Sequence, residues 1–146
     1  MEKDMVIILA ESDVSQLSMF IRNLKQSGVD SEILQFRNSL EVLNFLFQRG
    51  DEPHRIKNTP YVVILDIPEI DGVEVLRQIK QDERLRVIPI IIITNTDDPS
   101  EAERCYEFGC SIYITKPVDY ERYIEVINRL GLILTIIEVP IVNHET

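Results

Sequence analysis

Tyr61-Val62-Val63-Ile64-Leu65-Asp66 is an unbroken apolar run, dominated by β-branched residues and closed by a carboxylate. It lacks the alternation of a half-exposed strand, so it predicts a strand covered by helices on both faces. Ile88-Pro89-Ile90-Ile91-Ile92-Ile93 shows the same character, and shorter runs at Met5–Leu9, Ile33–Phe36 and Ile112–Ile114 bring the expected strands to five. Between them lie helical stripes: Leu17, Phe20, Ile21 and Leu24; Leu40, Leu43 and Phe47; Val73, Leu76 and Ile79; Ala102 and Tyr106. Strands alternating with helices predict an α/β fold, a doubly wound five-stranded parallel sheet in a three-layer sandwich with right-handed crossovers.

Outside this plan, Arg49–Pro60 is polar and turn-rich and reads as an exposed loop. The tail after Tyr120 continues an apolar stripe and becomes densely apolar at Leu132–Ile137; one helix reaching about Ile137 is expected, although Gly131 is a possible stop. The 146 residues suit a single domain, with the polar loop at about 49–60 and an apolar extension at about 131–140. That extension offers either a homodimer surface or a segment packed back on its own domain.

With 15 Lys and Arg against 25 Asp and Glu, the net charge of −10 repels phosphate backbones and anionic lipids, so neither nucleic acid nor membrane is an expected partner. Cys105 and Cys110 match neither a disulfide framework nor a paired zinc motif and read as buried apolar residues of a reducing, cytoplasmic protein. His54 and His144, in a loop and a tail, read as solvated.

In doubly wound sheets chemistry gathers at the carboxyl ends of the strands. Those ends carry Glu11-Ser12-Asp13, Asp66, Thr94-Asn95 and Lys116-Pro117. Clustered carboxylates suit a hard cation such as Mg²⁺ and make Asp66 a candidate nucleophile toward phosphorus, with the Thr94 hydroxyl and the Lys116 ammonium stabilising the transferred group.

These residues, in this order, resemble the receiver domain of two-component response regulators over nearly the whole chain. The resemblance rests on the acidic residues after strand one, Pro60–Asp66, Asp71-Gly72-Val-Glu-Val-Leu76, Thr94, and Tyr113-Ile-Thr-Lys116-Pro117. The stretches Ile79–Pro89, Lys116–Glu121 and Leu134–Pro140 are similar to stand-alone regulators paired with cyanobacterial phytochromes. The resemblance implies a flavodoxin-like receiver fold with Asp66 as phosphoacceptor, Thr94 and Lys116 as phosphoryl contacts, and Tyr113 as the aromatic switch. It also implies a Mg²⁺ site of Glu11, Asp13, Asp66 and the Pro68 backbone carbonyl, and a cis peptide at Pro117. A histidine kinase would be the donor and a downstream protein the target, with no enzymatic activity beyond self-catalysed phosphoryl transfer and self-dephosphorylation.

Two departures bear on that chemistry. The second of the family's paired acids is replaced by Ser12, and Asp13 falls one residue late, where an N-cap role is its alternative. The segment Asp66-Ile-Pro68-Glu-Ile-Asp71-Gly72 is two residues shorter than the family's D-x-x-x-P-x-x-D-G, and Pro68 restricts how it turns. The alternative function is therefore a receiver-like interaction module that works without phosphorylation.

Overall fold

The computed structural model describes residues 4–51 and 53–142. The elements run β1 (Val6–Glu11), α1 (Val14–Gln26), β2 (Glu32–Phe36), α2 (Ser39–Phe47), β3 (Tyr61–Asp66), α3 (Glu69–Gln81), β4 (Ile90–Thr94), α4 (Pro99–Glu107), β5 (Ile112–Thr115) and α5 (Tyr120–Leu134). All strand pairs are parallel, in the order β2-β1-β3-β4-β5. The chain moves outward from β1 to β2 and then returns to the other side of β1 as β3, so the topological switch point lies between β1 and β3.

The unbroken apolar runs are explained by two cores. Along β1, Ile8 and Ala10 face α2 and α3, packing with Leu46, Leu76 and Ile79, while Ile7 and Leu9 face α1 and α5, packing with Phe20, Leu24 and Ile127. The same alternation divides Val63 from Ile64 in β3 and Ile92 from Ile93 in β4. Asp13, Asn38, Asp98 and Asp119 open α1, α2, α4 and α5, each side chain accepting a backbone N–H of the first turn. Each such cap contributes about 1 kcal/mol. Cys105 and Cys110 are buried and unbridged, as expected.

Two boundaries and one loop differ from the expectations above. Ile88 and Pro89 precede β4, because a 3₁₀ turn at Leu85–Val87 bends the chain; Ile88 is nevertheless fully buried, and the Pro89 carbonyl accepts the Val63 N–H. The loop before β3 is anchored rather than freely exposed. Arg55 is buried and its Nε donates to the Leu46 carbonyl at 2.7 Å, and the Ile56 N–H donates to the Tyr61 hydroxyl at 2.8 Å.

Helix α5 ends at Leu134, short of Ile137, and Gly131 lies inside it. A β-carbon at Gly131 would overlap Ser27 Oγ at the end of α1, so this glycine permits close approach of the two helices. The tail then passes beneath the sheet. Val139 packs on the α1/α5 side, Ile141 forms an antiparallel bridge with Pro60, and Val142 is fully buried in the opposite core. His144 lies outside the described residues. Among those residues, no helix is long and apolar enough to cross a membrane.

Candidate functional site

Register delivers the carboxylates. Glu11 and Asp66 are the paired last residues of β1 and β3, on either side of the switch point, and both are buried. Thr94 ends β4, is also buried, and its carbonyl accepts the Lys116 N–H at 2.7 Å as the chain leaves β5. That backbone bond aims Lys116 back across the sheet, and its Nζ lies 2.7 Å from Asp66 Oδ1. Glu11, Ser12, Asp66, Pro68, Thr94 and Lys116 line an open cleft of about 400 Å³.

Glu11 and Asp66 face each other across the β1–β3 register at the mouth of the cleft. Burial first, and then the neighbouring Asp66 side chain, push the Glu11 carboxyl up to about 7. Glu11 Oε2 also accepts the Asp13 N–H at 3.0 Å. The Tyr123 hydroxyl donates to Asp66 Oδ2 at 3.4 Å. Burial, reinforced by the negative charge of Asp66, raises this phenol above its ordinary range.

The Thr94 hydroxyl oxygen accepts the Thr96 N–H at 3.0 Å in the turn after β4. Tyr113 pairs with Ile92 and Thr115 with Thr94, so Thr94 and Tyr113 are diagonal neighbours by register. The Tyr113 ring packs against the core on the α2/α3 side with its hydroxyl oxygen buried, and its N–H donates to the Tyr106 hydroxyl of α4 at 3.1 Å.

Of the expected magnesium ligands, Glu11 and Asp66 are register partners at the cleft, while the Asp13 side chain and the Pro68 carbonyl are engaged at helix starts. Asp13 Oδ1 accepts the Gln16 N–H at 3.0 Å as the α1 cap, and Asp13 lines an adjoining hollow that shares Glu11 and Lys116 with the cleft. The Pro68 carbonyl accepts the N–H groups of Asp71 at 2.9 Å and Gly72 at 3.0 Å, opening α3. The shortened segment places the start of the helix where the liganding loop was expected. What remains is the Glu11 and Asp66 pair, with Asp66 already engaged by Lys116. Among the described residues, no three His, Cys, Asp or Glu side chains are grouped to hold a metal.

The expected cis peptide is also corrected: among the described residues every peptide bond is trans, including Lys116–Pro117. Proline reduces the preference for trans to about 0.5–1 kcal/mol without reversing it. Tyr123 is the site residue that the sequence reading missed. Its helical spacing with Ile127, Leu130 and Leu134 is that of a buried stripe, and only its hydroxyl, which needs a partner when buried, was a signal.

Comparison with known proteins agrees with this fold. Response regulator Rcp1 of Synechocystis sp. is 31% identical over 111 residues, covering 76% of each chain. The Mn(2+)-bound form of Rcp1 superposes with a TM-score of 0.79 at 27% identity, over 92% of this chain and 98% of that one. A receiver domain from Rhodospirillum rubrum superposes with a TM-score of 0.85 at 34% identity, over 95% of this chain and 99% of that one. The phosphorylated cyanobacterial phytochrome response regulator RcpA shares the fold, with a TM-score of 0.76 at 22% identity over 96% and 99% of the two chains. Residues 7–128 match the response regulator receiver domain family, and the chain belongs to it.

Proposed function

We propose that this receiver accepts a phosphoryl group from a histidine kinase on Asp66 and signals through altered contacts with a downstream protein. The observation that carries this reading is the 2.7 Å contact of Lys116 Nζ with Asp66 Oδ1 at an open cleft. A carboxylate oxygen of Asp66 attacks phosphorus, the P–N bond to the kinase imidazole breaks, and its electron pair stays on nitrogen. The Lys116 ammonium offsets the anionic charge of the transferred group, and the Thr94 hydroxyl lies at the same mouth. Later attack by water on the acyl phosphate releases phosphate, so the chain is a signalling domain rather than a turnover enzyme. Thr94 and Tyr113, diagonal neighbours, are the proposed switch pair.

A magnesium site using Glu11, Asp66 and the nearby Asp13 would be weak, because Pro68 has committed its carbonyl to α3. The same observation, with Ser12 in place of an acid, favours a second reading: an interaction module that binds its partner without phosphate. Treatment with phosphoramidate tests the first. One added phosphoryl mass in the wild type, absent in Asp66→Asn, is expected. An unlabelled protein under conditions that label a control receiver, with equal partner binding by wild type and Asp66→Ala, would transfer the assignment to the second.

Leu132, Ile133, Ile136 and Ile137 remain exposed at the end of α5, and a homodimer through this patch is part of the proposal. Sedimentation at several concentrations tests it, and a monomer throughout would remove it. A cytoplasmic setting accords with two buried cysteines outside any disulfide. The acidic charge continues to argue against nucleic acid and anionic membranes as partners.

A further inference from the structure

The structure assigns to Tyr123 the role of a positioning residue that holds one oxygen of Asp66 and conveys a change at that oxygen to α5 and α1. The two oxygens of Asp66 are held from different elements: Oδ1 by Lys116 after β5 at 2.7 Å, and Oδ2 by the Tyr123 hydroxyl of α5 at 3.4 Å. Lys116 Nζ also lies 5.6 Å from the centre of the Tyr123 ring, so the three groups form a closed triangle. The carboxylate is thereby fixed in rotation about its Cβ–Cγ bond, which a group held at one oxygen alone would not be.

The ring has little freedom. Tyr123 is 5% exposed and packs at a tilt against Phe20 of α1, with ring centroids 6.4 Å apart. Its N–H donates to the Asp119 carbonyl in the first turn of α5, the turn that the Asp119 side chain caps. A displaced hydroxyl must therefore move a packed ring, and the ring contacts both helices of that layer. Tyr113 lies on the opposite face of the sheet, so this route is distinct from the Thr94 and Tyr113 pair.

The inference rests on Asp66 as acceptor for its consequence in signalling. Phosphorylation turns one carboxylate oxygen into the bridging oxygen of an acyl phosphate and the other into a neutral carbonyl. In either position Oδ2 ceases to be a charged acceptor for Tyr123. The contact is also testable without phosphorylation, because Asp66→Asn removes the same charge at nearly constant shape.

The experiment uses the full chain carrying 3-fluorotyrosine at its five tyrosines. The Tyr123 fluorine resonance is identified by its loss in Tyr123→Phe, and Tyr61, bonded to Ile56, serves as a remote reference. In Asp66→Asn the Tyr123 resonance should move while that of Tyr61 stays in place. With phosphoramidate, a second Tyr123 resonance should grow in proportion to the phosphorylated fraction measured by intact mass. Labelling of Tyr123→Phe should be faster by roughly 3- to 10-fold, because the hydrogen bond lost is stronger to the charged carboxylate than to the phosphorylated group. An unmoved Tyr123 resonance in Asp66→Asn, or unchanged labelling in Tyr123→Phe, would overturn the inference. A resonance that moves in Asp66→Asn while the donor labels nothing would uphold the Tyr123–Asp66 coupling and refute Asp66 as acceptor.

Discussion

Lys116 Nζ lies 2.7 Å from Asp66 Oδ1, and the backbone N–H of the same lysine donates to the Thr94 carbonyl at 2.7 Å. The cation is thus placed by a main-chain bond between strand ends, and its side chain spans the width of one strand to reach the carboxylate. In the proposed phosphoryl transfer, that cation offsets the charge arriving at Asp66.

Removing the cation has two separable effects. Lys116→Met should slow phosphoramidate labelling of Asp66 by more than tenfold and lower stability by about 2 kcal/mol. The 3–5 kcal/mol typical of breaking a fully buried pair is an upper bound here, since the Lys116 side chain keeps 17% of its exposure. Urea unfolding checks the second effect, and Lys116→Met combined with Asp66→Asn should recover most of the lost stability. Equal stability of the wild type and Lys116→Met would contradict this.

The Glu11 carboxyl makes stability depend on pH. Its folded value of about 7 stands above the ordinary 4.5, so between these limits the folded chain holds a proton that the unfolded chain does not. Unfolding then releases a proton, and stability falls as pH rises through this window and levels off above it. Denaturant midpoints measured from pH 5 to 8 should show the decline, and Glu11→Gln should flatten it. The same slope in Glu11→Gln would assign the effect elsewhere.

At the far end of α5, Gly131→Ala should destabilise the fold by about 1–3 kcal/mol through overpacking against Ser27. Thermal unfolding of Gly131→Ala combined with Ser27→Gly should show partial relief, because the second change removes the obstructing side chain. Additive losses in the double variant would mean that the helices separate at no cost.

The five strands and both cores were legible because runs such as Tyr61–Leu65 admit water on neither face. Ile88 and Pro89 were over-read as strand, since burial makes them apolar while the 3₁₀ turn before them sets their path. At the site, Glu11, Asp66, Thr94 and Lys116 could be placed from strand ends alone. The fate of the Pro68 carbonyl could not, because it depends on which residue begins α3, a helix with no side-chain cap to mark it. Tyr123 was hidden for a related reason: one polar atom on an apolar stripe does not reveal a partner 57 residues away. The tail was half legible, its Val142 and Val139 returning to the two cores while Leu132 and Ile136 stay exposed.

The most direct test of a lysine-centred acceptor site is the rate of phosphoramidate labelling at Asp66, followed by intact mass and peptide mapping as Mg²⁺ is varied from none to excess. The account predicts labelling confined to Asp66, rising shallowly with Mg²⁺ without saturation, and nearly abolished in Lys116→Met. Labelling that saturates sharply with Mg²⁺ and is indifferent to Lys116, or a wild-type chain that takes up no phosphoryl group, would contradict it.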